Sequence, residues 1–278
     1  MDVIPITTAL GAEINGINLA GGVSNLEARS IRDAFLEHKV LFFRDQDLTP
    51  TDLVGCARIL GEPEIYPFIQ GLREIPEVIE IIKTEMDTTN FGGSWHSDTS
   101  YMPQPAMATA LYALQVPDAG GDTLYANTAL AYDALSDAMR EMLTPLKGIN
   151  SSEFGYKGGR AIGMAKLDAM KGTFDTAAQT YESEHPIVRT HPETGRKSLY
   201  LNRSHTVRLA DMTEAESTPL IGYLCDHMTR PEFTCRFRWR PGSLAIWDNR
   251  TALHHAINDY GGKRRHMQRV TIKGDRPC

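Results

Sequence analysis

Two residues in the stretch GGSWHSDTSY carry side chains that bind metals: His96 and Asp98, two positions apart. In an extended segment residues i and i+2 project to the same side, so this imidazole and this carboxylate can reach one ion together while Ser97 points away. A His-x-Asp pair alone says little in a chain with nine histidines. A second stretch, AIWDNRTALHHAIND, brings His254 and His255. Neighbours in a strand face opposite ways, so at most one of them joins the pair. Two imidazoles and one carboxylate on one face of a metal form the facial triad of non-haem Fe(II) oxygenases, and three positions stay open for a chelating keto acid and dioxygen. Zinc accepts the same donors, but it normally closes a tetrahedron or activates water.

Short strands must hold such a site. FTCRFRW alternates cleanly, with Phe233, Cys235, Phe237 and Trp239 on one face and Thr234, Arg236 and Arg238 on the other. After an RPG turn, SLAIW reads as a buried strand, and so does VLFFR, while MATALYALQV alternates loosely and reads as a strand. HPETGRKSLYLN reads as a hairpin turning at Pro192 and Gly195. Helical spacing marks SNLEARSIRDAFLEHKV, with Leu26, Ile31, Ala34 and Phe35 on the apolar side and Ser24 as cap. Further helices are expected over TPTDLVGCARILG, over NTALAYDALSDAMREML as one amphipathic unit, and around 213–228. Short strands with few helices between them predict a mainly β fold of the α+β class, a barrel or sandwich rather than a parallel sheet. Residues 151–184 lack periodicity, which suits an active-site lid or a mobile insertion.

Composition narrows the partners. A net charge of −6 without a basic arm argues against nucleic acid. No apolar run reaches the length of a membrane span, and no secretory signal opens the sequence. The four cysteines form no C-x-x-C pair, as expected of free thiols in the cytoplasm. With no repeat or linker, residues 1–278 read as one domain.

Five motifs, WHSDTSY, GGDTLYANTALAYDALS, HPETGRKSLYLN, WDNRTALHHAINDY and KRRHMQRVTIKGD, resemble in order and spacing the TauD/TfdA family of Fe(II)- and 2-oxoglutarate-dependent dioxygenases. The opening GAEINGINL is similar too, so the resemblance covers essentially the whole chain. It implies a double-stranded β-helix, or jelly roll, with flanking helices. It implies Fe(II), with 2-oxoglutarate and O2 as cosubstrates, and iron ligands at His96, Asp98 and His254, the last chosen by its spacing from Asn249. His255 falls on a variable position, with a packing or supporting role. Arg265 falls on the position that pairs with the distal carboxylate of 2-oxoglutarate, and Thr123 on the one that adds a hydroxyl. Arg269 matches an arginine near the substrate's anionic group, while Arg264 points away into solvent.

The implied reaction hydroxylates a C–H of a small anionic substrate, a sulfonate, carboxylate or aryloxyalkanoate, and releases succinate and carbon dioxide. Tyr66, Gly92 and His205 depart from the residues of taurine dioxygenase itself and put taurine in doubt. Candidate substrate contacts are Tyr66, Asn90, Phe154, His205 and Arg269. The alternatives are a silent jelly roll that binds a small acid, a same-fold oxygenase acting on a larger biosynthetic substrate, and a halogenase, which Asp98 argues against. The resemblance further implies a homo-oligomer, a dimer or tetramer.

Overall fold

Ser24 and Thr49 open the first two helices through reciprocal capping boxes with Glu27 and Asp52, and Pro50 stands in the first turn of the second. A computed structural model describes residues 1–154, 170, 173 and 180–278 of the chain, so most of the expected lid at 151–184 lies outside the described residues. Helix α1 (Asn25–His38) and helix α2 (Pro50–Arg58) bury Ile31, Phe35, Leu53 and Ala57 against one sheet. Leu26 instead is 69% exposed. It stands five positions before Ile31, which at 3.6 residues per turn is about 140° around the helix.

That sheet has eight strands. In spatial order β1 (Asp2–Pro5), β2 (Ala12–Asn15), β3 (Val40–Phe43), β14 (Leu244–Asp248), β6 (Ala108–Gln115) and β16 (Arg265–Ile272) run side by side, and β4 (Pro63–Glu64) and β5 (Val78–Lys83) both pair with β16. Every pairing is antiparallel except β2 with β3. Facing it is a smaller antiparallel sheet of β13 (Thr234–Phe237), β7 (Thr123–Asn127) and β15 (Ala252–Ala256). Phe42, Leu111, Tyr125, Phe237, Trp247 and Met267 fill the space between them. The core is the expected jelly roll, and its buried faces explain why β6 is buried over its first six residues instead of alternating.

The outer face of the small sheet is covered by α3 (Thr128–Asp133), α4 (Asp137–Leu143) and α5 (Glu214–Met228), packed through Ala131, Leu143 and Leu224. The single helix expected over 128–143 is two. Asn127 caps the first, accepting from the N–H groups of Ala129 and Leu130, and Ser136 caps the second by accepting from Met139 N–H. A serine hydroxyl beside free backbone donors starts a new helix at little cost, and that breaks the pattern. Three further strands, β12 (Thr206–Leu209), β8 (Lys147–Ser151) and β9 (Glu182–Pro186), form a side sheet. The expected hairpin is β10 (Val188–Thr190) with β11 (Lys197–Leu199), and Gly195 takes φ 69° in its turn, a conformation glycine adopts freely. Among the described residues no helix is long and apolar enough to cross a membrane.

Candidate metal centre and cosubstrate cleft

His96 and Asp98 sit on the loop between β5 and β6, and His254 lies in the middle of β15. Backbone pairing joins the two halves of the site. His96 N–H donates to the His254 carbonyl at 3.0 Å, and His254 N–H donates back to the His96 carbonyl at 2.8 Å. Asp98 is turned inward by Thr99, a β-branched residue held at φ 50° whose hydroxyl accepts from Ala106 N–H. The result places donor atoms of His96, Asp98 and His254 within 4.8 Å of one another, all three side chains buried. Asp98 Oδ1 faces both imidazoles, 3.7 Å from His96 Nε2 and 3.9 Å from His254 Nε2. His96 Nδ1 lies 2.7 Å from the Ser94 carbonyl, so it carries the proton and leaves Nε2 bare towards the carboxylate.

The electrostatics suit a cation. Burial pushes His96 and His254 below the ordinary histidine range, so both imidazoles are neutral, as ligands must be. Burial alone would raise Asp98, but the Arg269 charge first, and then the Thr109 hydroxyl, hold it well below the usual carboxylate range. Two neutral nitrogens and one carboxylate are a donor set for Fe(II). His255, one residue on, turns out of this cluster and packs its ring on Trp95 at 5.6 Å.

A cavity of about 420 Å³, its open mouth included, lies beside the triad and is lined in part by Thr123, Arg265 and Arg269. Arg265 and Arg269, four apart on β16, share its wall as their spacing predicts. Arg265 Nε and Nη2 are buried without a hydrogen-bond partner, and burial lowers its pKa. A buried fork with spare donors fits a carboxylate. Thr123 adds a hydroxyl. Its oxygen accepts the Trp239 indole N–H at 2.9 Å, so its own hydrogen is a donor, within reach of the Tyr125 hydroxyl as well as the cavity. Arg269 Nη2 is 3.0 Å from Asp98 Oδ1, near enough to pair in charge but off the hydrogen-bond axis, so Nε and Nη2 both keep donors in hand.

The remaining sequence candidates separate. Tyr66 is buried with the Arg269 guanidinium 5.0 Å over its ring. His205 is buried beside the triad, 5.9 Å from the His96 ring and 4.8 Å from Tyr101, and burial pushes it down to about 3. Ser100 shares a hydrogen bond with its Nδ1. Asn90 spends its amide on the Ala256 carbonyl at 2.9 Å, pinning the end of β15. Phe154 is 49% exposed at the edge of the described residues. Gly92 lines the cavity at φ 75°, where a Cβ would stand 3.2 Å from His96 Cε1.

Sequence reasoning missed Thr109, which donates to Asp98 Oδ2, and Trp239, which supports Thr123 and lies under Arg265. It used Asn249 only for spacing, yet this side chain accepts from Asp98 N–H. The signal for Trp239 was the alternation of FTCRFRW, which puts it on the buried face; nothing marked Thr109.

A jelly roll with two imidazoles, a carboxylate and an anion-binding wall at one end is the frame of a keto-acid-dependent metal oxygenase. The comparisons agree. The chain belongs to the family described as taurine catabolism dioxygenase TauD, TfdA family, whose profile matches residues 2–271. It is an oxidoreductase that depends on Fe(II), 2-oxoglutarate and O2. It is 36% identical over 280 residues to an alpha-ketoglutarate-dependent sulfate ester dioxygenase of Pseudomonas putida, covering 100% of this chain and 91% of that one. It is 36% identical over 272 residues to an alkylsulfatase of Acinetobacter baylyi, covering 97% and 84%. A crystal structure of a putative alpha-ketoglutarate-dependent taurine dioxygenase from Burkholderia xenovorans superposes with a TM-score of 0.83 at 33% identity, covering 99% and 93%.

Proposed function

We propose that His96, Asp98 and His254 hold the iron, that Arg265 and Thr123 bind the distal carboxylate of 2-oxoglutarate, and that Arg269 draws in an anionic substrate, with alkyl sulfate esters the foremost class. The observation that carries this is the placement of two buried guanidinium groups with spare donors on one wall, next to the only His/Asp cluster with metal-ligand geometry among the described residues. The names of the two relatives at 36% identity favour the sulfate ester over a sulfonate.

Bound iron with 2-oxoglutarate and O2 supplies the oxidising power that turns a substrate C–H into C–OH, with succinate and carbon dioxide as coproducts. The chain supplies placement. Arg265, with Trp239 beneath it, fixes one end of the keto acid by a two-pronged contact. Arg269, stacked on Tyr66, sets an anionic head at a fixed distance from the triad, so that a neighbouring carbon is the one presented. Neutral His205 and Tyr101 exclude water on that side without adding charge. When the hydroxylated carbon also carries a sulfate oxygen, its product collapses to an aldehyde and inorganic sulfate. Tyr66 and His205 stand as substrate contacts in this reading; Asn90 acts through β15, and Phe154 borders the approach. One domain over 1–278 carries the whole reaction. The unpaired cysteines support a cytoplasmic setting. Val3 and Ile4, 37% and 51% exposed on edge strand β1, support self-association.

The test is succinate release across alkyl sulfates, sulfonates, aryloxy acids and phosphonates, with anaerobic Fe(II) and 2-oxoglutarate titrated beside it. Alkyl sulfates should give the highest kcat/KM, and a visible charge-transfer band should form, lost in His96→Ala and Asp98→Ala. No band in the wild-type protein would establish the silent binder, and turnover in either variant would remove the ligand assignment.

A further inference from the structure

Asp98 offers two oxygens, and the structure distinguishes them. Oδ1 is the one that faces both imidazoles. Oδ2 accepts a hydrogen bond of 2.7 Å from Thr109 Oγ1 on β6. The direction of that bond is fixed by a chain of donors reaching back to Trp247. An indole N–H can only donate, and Trp247 Nε1 gives its hydrogen to Asn249 Oδ1 at 3.0 Å. The Asp98 backbone N–H donates to the same oxygen at 3.2 Å. With two obligate donors on its oxygen, the Asn249 amide has one orientation, and its Nδ2 donates to Thr109 Oγ1 at 3.0 Å. A hydroxyl that accepts there turns its own hydrogen to Asp98 Oδ2. Thr109 and Trp247 are cross-strand partners on β6 and β14, so their side chains rise from one face of the sheet at fixed spacing. Trp247, Asn249, Thr109 and Asp98 are between 0% and 4% exposed, which leaves water no access to reset the chain.

We propose that Thr109 is a positioning residue for the metal centre: its hydroxyl reserves Asp98 Oδ2, so the carboxylate meets the ion through Oδ1 alone and the coordination place that Oδ2 would take stays open for the chelating cosubstrate or dioxygen. The inference rests on Asp98 being a ligand, and it extends that reading to residues that never touch the ion.

Co(II) titration of the full-length metal-free protein, followed by its visible absorption, tests this without turnover. Thr109→Val keeps the shape and removes the hydroxyl; Thr109→Ser keeps the hydroxyl. The expected result is Co(II) binding weakened about 10–100-fold in Thr109→Val, the usual range for loss of a group that orients a ligand, with changed band positions and intensities. Thr109→Ser should stay within about threefold of wild type with the wild-type spectrum. Should Thr109→Val not fold, judged by far-ultraviolet circular dichroism, Thr109→Ala removes the same hydroxyl without filling space and is read the same way. A hydroxyl-free variant that binds Co(II) with wild-type affinity and spectrum overturns the proposal, as does a serine variant that behaves like the valine one. Asp98→Ala separates the two levels. If it keeps Co(II) binding, the ligand assignment fails; if it loses binding while Thr109→Val does not, only the role of Thr109 fails.

Discussion

At the scale of single residues, the cleft wall is made of groups whose bonding is unfinished. Arg265 is buried with spare N–H donors, a state that costs free energy until an anion arrives. Hydrogen bonds to a charged group contribute about 1.5–3 kcal/mol, so Arg265→Ala should raise KM for 2-oxoglutarate on the order of 10–100-fold. Arg265→Lys should recover little, because a point charge cannot make the two-pronged contact. Steady-state kinetics with 2-oxoglutarate as the varied component measures both; an unchanged KM in Arg265→Ala would move the cosubstrate elsewhere. Much at this scale was legible beforehand. The His96 and Asp98 pair said little until the second histidine and the family motifs joined it, and Arg265 and Arg269 were expected on one face from their spacing of four. Thr109 was not legible, since a threonine in an apolar strand looks like any other buried β-branched residue until Asp98 is folded against it. Nor did the sequence show that Asn90 Nδ2 donates to the Ala256 carbonyl at the end of β15.

Elements hold these residues through a second polar cluster on the far side of the ligand strand. Asp248, at the end of β14, takes a two-pronged contact from Arg250 at 2.8 Å on each oxygen and lies 3.0 Å from His191 Nε2 in the turn after β10. Arg250 also reaches Glu193, which holds Arg32 of α1. One cluster thus joins the β10–β11 hairpin, the β14–β15 turn and α1, and it sets where β15 begins. Arg250→Ala would strand the Asp248 carboxylate in the interior, and breaking a buried pair costs about 3–5 kcal/mol. Urea unfolding should show that loss; a midpoint within error of wild type would mean the cluster is decorative. WDNR and HPETG were visible as separate motifs, but a linear reading has no means of placing His191 on Asp248. The same limit divided the 128–143 helix. Its apolar spacing is continuous, and the break between α3 and α4 comes where the Ser136 hydroxyl accepts from the Met139 N–H three residues on.

For the molecule as a whole, that cluster should contribute to acid tolerance, as should the depressed Asp98 carboxyl. Burial would raise the Asp248 carboxyl, but the Arg250 and His191 hydrogen bonds and the Arg250 charge outweigh it and hold the group below the usual range. A carboxyl whose folded pKa is depressed adds stability above its unfolded value, about 3.9, and loses it as pH falls through and below that point. Glu193, lowered by Arg250 and Arg32 against its own burial, adds in the same sense. The urea midpoint should therefore hold from pH 7 to about 5 and drop steeply below about 4. Asp248→Asn should begin lower and fall less steeply; an equal slope would place the acid sensitivity elsewhere. A mainly β barrel or sandwich was readable in advance because strand alternation and buried runs survive in one dimension, whereas the jelly roll in particular came from the family resemblance. The cap of α1 was readable too, but the outward turn of Leu26 needed the helix phase that only Ile31 and Phe35, once seated on the sheet, define.

The paired amide and carbonyl groups of residues 96 and 254 have one more effect. Two of the three claws of the centre are stitched together by main chain, at a separation set by a sheet rather than by any guest ion. Stripping the ion should therefore leave a vacant but finished socket, with residues 96 and 254 still at the same spacing.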